Sequence, residues 1–233
     1  EIGLDPGIDH MSAMKVIDHI KEKNAKITLF ESYTGGLIAP ESDNNLWNYK
    51  FTWNPRNVVL AGQGGPAKFV QQGHNKYIPY NKLFKRTQKL EVKNYGSFEG
   101  YANRDSLKYR EIYGLEDIKT LCRGTIRKVG FSESWDVFVQ LGMTDDSYTI
   151  ENSMDMTFRD FVDLFLPYSV KDKVELKLQK LLNISESDPI WSKLLEIDLF
   201  SSQKTITIDK ATPAQILEFI LCKSWSLDPN DKD

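Results

Sequence analysis

The 233-residue sequence is poor in the residues that staple or metallate a fold, with two cysteines, Cys122 and Cys222, and three histidines. Two cysteines so far apart form neither a disulfide framework nor a zinc spacing, and a reduced, cytoplasmic protein is the expectation. His10 and His74 share no ligand spacing with them, so no metal is expected. Long hydrophobic runs are missing as well. None approaches the roughly 20 residues that span a bilayer, and no signal-peptide or lipidation pattern is present, so no membrane partner is expected. Charge of one sign is not in excess: 30 Lys and Arg against 33 Asp and Glu leave a net charge of −3. That balance supplies no basic face for nucleic acid. Ala61-Gly62-Gln63-Gly64-Gly65-Pro66 is glycine-rich, but it lacks both the Lys-Ser/Thr ending of a P-loop and the dinucleotide spacing, and it reads as a turn. No Ser-His-Asp arrangement can be argued.

What remains is a globular composition, 40% hydrophobic and 27% charged, with apolar residues enough for one large or two small domains. The texture changes near residue 143. Before it, alternation predicts strands over 26–33 and 119–131, with further strands over 76–84 and 89–101. A helix over 9–23 places Met11, Met14, Ile17 and Ile20 on one face, with Asp5-Pro6 or Asp9 as its cap. The second part is helical. Residues 132–141 present Trp135, Phe138 and Val139 and stop at Gly142. Thr157 with Asp160, Ser169 with Asp172, Asp188-Pro189 and Thr212-Pro213-x-Gln215 each open a further helix. The chain starts without Met and ends in the polar stretch 228–233, which reads as a piece cut from a longer protein.

Five polar, Gly- or Pro-punctuated blocks crowd the first half: Gly3 to His10, Ser32 to Gly36, Ala39 to Glu41, Asn103 to Ser106 and Arg123 to Thr125. Asp5 caps a helix or faces a ligand across the turn. His10 is a satisfied structural residue or a group that donates to an anion or shuttles a proton. Tyr33, Thr34, Gly35 and Gly36 offer hydroxyls and close backbone approach, or else simply end a strand. Arg104 is a fork for a carboxylate or the partner of an internal acid, and Arg123-Gly124-Thr125 is a second such block.

Together the blocks resemble the saccharopine reductases, the NADP-dependent, glutamate-forming saccharopine dehydrogenases of lysine metabolism. The resemblance runs through Glu1 to His10, Ser32-Tyr33-x-Gly35-Gly36-Leu37-x-Ala39-Pro40-Glu41 and Asn44-Asn45. It continues through Tyr49-Lys50-Phe51-x-Trp53, Gly100-Tyr101-x-Asn103-Arg104-Asp105-Ser106-x-x-Tyr109, Tyr113-Gly114 and Arg123-Gly124-Thr125. It implies an α+β fold: a mixed, largely antiparallel sheet with helices on one face over 1–143, lacking its final strands, and a small helical domain over 144–233. The family's NADP(H)-binding Rossmann domain lies outside this chain, which alone would be inactive. The implied substrates are saccharopine, glutamate and 2-aminoadipate 6-semialdehyde, and a homodimer is compatible with the family. Arg104 and Arg123-Gly124-Thr125 would grip carboxylates, and Tyr33, Gly35 and Gly36 would line the pocket. Asp5 would act in catalysis and, with Pro6, meet the cofactor edge. Thr34 stands at a catalytic position where the family usually has Cys; it can hydrogen-bond but is a poor acid. Two readings stay open beside this one: another NADP-linked imine reductase such as a carboxyspermidine dehydrogenase, and a non-catalytic carboxylate-binding homologue.

Overall fold

The computed structural model describes residues 3–61 and 65–233. The chain runs α1 (Ile8–Glu22), β1 (Leu29–Thr34), α2 (Pro55–Val59), β2 (Ala67–Gln71), β3 (His74–Ile78), α3 (Tyr80–Leu83), β4 (Gln88–Val92), β5 (Gly96–Ala102) and α4 (Tyr109–Ile112). It continues with β6 (Thr120–Lys128), α5 (Phe131–Leu141), α6 (Phe158–Asp163), α7 (Val174–Leu182), α8 (Pro189–Glu196) and α9 (Pro213–Trp225). Packing divides it into two units: Glu1–Gly36 with Gln63–Val129, and Leu37–Gly62 with Gly130–Asp233. The helical unit thus begins at Gly130 and takes in residues 37–62, whereas the sequence texture changes near 143. Gly62 to Gly64, read as a turn, lie outside the described residues. No helix among the described residues is long and apolar enough to cross a membrane.

The first unit is a six-stranded mixed sheet in the order β3-β2-β6-β5-β4, with β1 beside β6. Only the β1–β6 pairing is parallel; the others are antiparallel, as the α+β expectation had it. The register places Ser32 beside Arg123, Tyr33 beside Gly124 and Thr34 beside Thr125. The segment 76–84 is not one strand, because Pro79 caps α3 directly after β3. The segment 89–101 is a hairpin, β4 to β5, because Asn94 and Gly96 turn the chain at positive φ. The unforeseen β2 pairs with β3 through Gln72 (φ 50) and Gly73 (φ 79), a left-handed pair suited to a two-residue hairpin.

Alternation sends neighbouring strand residues to opposite faces. Leu121, Val70 and Phe30 meet Ala13, Ile17, Tyr113 and Ile118 on the face covered by α1. Ala67, Ile78, Ala102 and Cys122 cluster separately, with Phe69 and with Leu83 of α3. The buried stripe of α1 is Asp9, Ala13 and Ile17; of the expected face Ile17 is buried and Met14 packs on the same core, but Met11 is 63% exposed. An acid within that stripe rotates the helix away from the purely apolar solution. Gly7, not Asp5 or Asp9, is the N-cap.

In the second unit, Thr157 with Asp160 and Thr212 with Gln215 form complete capping boxes. α5 ends at Gly142 in the left-handed conformation, as the sequence predicts. α7 starts later than expected: Ser169 Oγ accepts from the Asp172 N–H (3.2 Å) in a turn that precedes the helix. Trp47, Tyr49 and Phe51 pack their rings on Trp225, at 4.9, 5.3 and 5.3 Å. Residues 37–62 therefore complete the aromatic core of the helices. The polar end of the chain is pinned to the same segment, with the buried Lys50 ammonium 2.6 Å from Asp231 and the Ala39 N–H donating to Lys232 O at 2.8 Å.

Trp225 is fully buried and joins both parts of this core. Trp225→Ala is expected to lower stability by about 3–5 kcal/mol, measured by urea unfolding followed by circular dichroism. A loss below about 1 kcal/mol would mean that the ring cluster does not hold the unit together.

Candidate functional site

Arg123 enters the sheet at the middle of β6, on the face that α1 covers. Its backbone is stitched to the Asn103–Ser106 loop: its N–H donates to Ser106 Oγ (2.9 Å), and its carbonyl accepts from the Asn103 N–H (2.8 Å). Its guanidinium Nη2 donates to Asp5 Oδ1 at 2.9 Å and to Asp9 Oδ2. Asn103 Nδ2 donates to the other oxygen of Asp5 at 3.3 Å. The Tyr109 ring lies 4.2 Å from the guanidinium carbon, a cation–π contact. The His10 ring stacks on Tyr109 at 5.0 Å, and its Nδ1 meets Tyr113 Oη at 2.6 Å.

Burial divides the roles within this cluster. The side chains of Arg123 and Asp9 are 7% and 2% exposed, whereas that of Asp5 is 26% exposed. Asp5 is the acid of the pair that a ligand can reach. Burial raises the cost of charging Asp9, but the Gly7 N–H and the Arg123 guanidinium outweigh it and hold the carboxyl below its ordinary value. Burial likewise opposes the charge on Arg123, and Asp5, Tyr113 and Asp9 more than restore it. Burial pushes the Tyr113 phenol up to about 12. Asp5, Asp9 and His10 offer ligand atoms within 4.8 Å of one another. The positive charge between the two acids is already supplied by Arg123.

Arg104 is the opposite kind of arginine. It is exposed, it sits at φ 39, and its carbonyl accepts from the Lys68 N–H at 2.7 Å. A non-glycine residue at positive φ is strained and persists where the surroundings fix it. Among the described residues its guanidinium makes no ion pair, so the expected internal partner, Asp105, is not taken; Asp105 lies 3.3 Å from Lys68 instead.

Tyr33 and Gly124 lie on the other face. A Cβ at Gly124 would sit 2.3 Å from the Tyr33 ring, and one at Gly100 would sit 2.7 Å from it. Both glycines are the floor that lets the ring lie flat on the sheet, where its hydroxyl accepts from Gln88 Nε2. Burial pushes the Tyr33 phenol well above its ordinary value. Gly35 is equally constrained: a Cβ there would lie 2.4 Å from the Ile126 carbonyl oxygen. Thr34 and Thr125 are half-buried register partners, Gly36 is half-buried beyond the strand, and Pro6 is exposed in the loop before α1.

The structure therefore joins Asp5 with Arg123, sets Thr34 and Thr125 alongside, leaves Arg104 open on the next loop, and turns Tyr33 to the far face. Asp9, Tyr109 and Tyr113 complete the cluster. Asp9 read as a helix cap, and the tyrosines carried no signal beyond their place in the blocks.

A model of the family described as saccharopine dehydrogenase C-terminal domain matches residues 3–233. The chain belongs to this family. It is 43% identical over 148 residues to an alpha-aminoadipic semialdehyde synthase of Arabidopsis thaliana, covering 62% of this chain and 14% of that protein. It is 40% identical over 147 residues to the NADP(+), L-glutamate-forming saccharopine dehydrogenase of Schizosaccharomyces pombe, covering 63% and 32%. The apo L-Glu-forming saccharopine dehydrogenase structure from Saccharomyces cerevisiae superposes with a TM-score of 0.83 at 29% identity, covering 99% of this chain and 52% of that one. The chain spans less than a third of those curated relatives and about half of the solved one. The saccharopine dehydrogenase C-terminal domain expected from the sequence is what the chain is, and its relatives are named as saccharopine dehydrogenases and alpha-aminoadipic semialdehyde synthases.

Two measurements probe this domain's interior. Gly124→Ala is expected to cost about 1–3 kcal/mol by overpacking the Tyr33 ring. Combined with Tyr33→Ala the cost should largely vanish; additive losses in the four-way cycle would refute the ring-on-glycine contact. Asp9 has a folded pKa below the ordinary 3.8, so its contribution to stability is present above that value and is lost as pH falls through the folded one. Asp9→Asn should cost on the order of 2 kcal/mol at neutral pH, below the usual range for a buried pair because Asp5 remains. It should also flatten the acid limb of the stability profile. An unchanged limb in urea titrations at falling pH would contradict the pairing.

Proposed function

We propose that this chain supplies the substrate-holding part of an NADP-dependent, L-glutamate-forming saccharopine dehydrogenase. That activity joins glutamate to 2-aminoadipate 6-semialdehyde as an imine and reduces it to saccharopine, or runs in reverse. The observation that carries the reading is the contrast between two arginines. Arg123 is spent internally on Asp5 and Asp9, and Arg104 stands exposed and backbone-strained on the adjoining loop, with no ion pair among the described residues. Arg104 is the fork that binds a substrate carboxylate bidentately. Arg123 is a positioning residue, fixing Asp5 where a developing iminium charge or a moving proton can meet its carboxylate.

NADPH, when bound, supplies the hydride. In this reading Asp5 and the exposed Pro6 beside it would meet its nicotinamide end. The hydroxyls of Thr34 and Thr125, with the backbone of Gly36 beyond the strand, orient the substrate by hydrogen bonds. Thr34 holds a proton-bearing hydroxyl where the family usually has a thiol, so Asp5 is the stronger proton carrier in this chain. We keep the cytoplasm as the compartment, on the thiols of Cys122 and Cys222, both of which are free. The mouse relative is designated mitochondrial, and fractionation decides between the two.

The test is a chimera in which this chain replaces its structural equivalent in the Saccharomyces cerevisiae enzyme. Saccharopine-dependent NADP+ reduction should be restored. Arg104→Ala should raise KM for saccharopine about 10–100-fold, the worth of a charge-assisted fork. Asp5→Asn should lower kcat more than it raises KM. A folded, NADP-binding chimera with no turnover, or one indifferent to Arg104→Ala, would overturn the reading.

A further inference from the structure

The sheet face opposite the Asp5–Arg123 cluster carries a cavity of about 90 Å³. Its floor is the Cys122 thiol and the Tyr33 ring seated on Gly100 and Gly124. Its rim bears Glu31 and Arg86, with the Gln88 amide between floor and solvent. Glu31, Arg86 and Gln88 are exposed, and among the described residues neither charged group forms an ion pair, with the other or with anything else.

We propose that this cavity binds the zwitterionic head of an α-amino acid, with its carboxylate at Arg86 and its ammonium at Glu31. Size is the first argument. Pockets for cofactors and drug-sized ligands start at about 300 Å³, and this one admits only a small group. Charge is the second. A simple anion that reaches Arg86 is repelled by Glu31, and a simple cation that reaches Glu31 is repelled by Arg86, so the two charges favour a ligand that carries both signs. The floor is the third. Burial pushes the Cys122 thiol up to about 12 and holds the Tyr33 phenol protonated, so the floor is neutral and offers only hydrogen bonds. None of these residues belongs to the Asp5–Arg123 cluster, so the inference does not need the function proposed above. One ligand chemistry has two sources here: the head group of the substrate itself, or a free amino acid at a second site.

The test uses glycine as the probe, with acetate and methylammonium as its two halves, on the 233-residue chain labelled with nitrogen-15. Glycine should move the Gln88 side-chain amide and the Gly100 and Gly124 backbone signals, and neither half should do so at equal concentration. Glu31→Gln and Arg86→Gln, both at exposed positions, should each weaken glycine binding about tenfold or more. Silent signals at tens of millimolar glycine, acetate binding as well as glycine, or variants that respond like the parent would each overturn the proposal. In the chimera, a KM for saccharopine raised by Arg86→Gln identifies the substrate's head. An unchanged KM, with the glycine response lost in that variant, identifies a free amino acid.

Discussion

Arg123 is a cation set into the middle of a sheet, and a buried guanidinium is tolerated only if its surroundings return what water would have given it. Two carboxylates and a tyrosine face do so, and each comes from a different stretch of chain: Asp5 from the loop, Asp9 from α1, and Tyr109 from α4. Satisfying this one charge therefore fixes the first turn of α1, the loop before it and the segment after β5 against the same strand. The backbone of Arg123 extends the constraint, because its N–H and carbonyl anchor Ser106 and Asn103. Arg104 lies between those two anchors, and its positive φ is the consequence of a short loop tied at both ends. The strain at the exposed arginine is thus held in place by the strand backbone of the buried one.

The second constraint is steric. β6 presents Arg123 to one face and Gly124 to the other, and the ring of Tyr33 needs the missing Cβ of Gly124 as much as the charge cluster needs Arg123. Glycine weakens strands, yet Gly124 sits inside the strand expected from the sequence and pairs with both β1 and β5. The glycine is present because a side chain lies across it. This also explains why Tyr33 and Arg123, in adjacent register, serve different sides of the molecule.

How much of this was legible in the sequence depends on how local the cause is. The capping boxes at Thr157 and Thr212, the stop at Gly142, and strands β1 and β6 follow from a few neighbouring residues, and the sequence alone predicts them. Met11 misleads because hydrophobicity alone does not choose the face of a helix when Asp9 has a partner waiting on the sheet. The segment 89–101 reads as one strand because its turn, Lys93-Asn94-Tyr95, lacks the usual Asn-Gly signature. Residues 37–62 sit in the first half of the sequence yet belong to the helices, since Trp47, Tyr49 and Phe51 find their rings far along the chain. Pairings of that range leave no periodic trace. The same holds for the candidate site: the blocks single out Asp5, Arg104 and Arg123, but only the fold separates the arginine that is spent on internal acids from the one that forms no ion pair among the described residues.

That separation bears on charge. Arg123 with Asp5 and Asp9 sums to one excess negative charge, and the excess lies at the only carboxylate of the pair that solvent reaches. On the reading proposed here the site meets a cationic imine, and a negative charge that is already oriented then needs no reorganisation as positive charge develops. Asn103 on the second oxygen of Asp5 and Arg123 on the first keep the carboxylate from rotating. On the reading proposed here, replacing the family's thiol by Thr34 is tolerable for the same reason. When the charge that steadies the intermediate is held by a positioned carboxylate, the neighbouring hydroxyl needs only to hydrogen-bond, and its weak acidity ceases to matter.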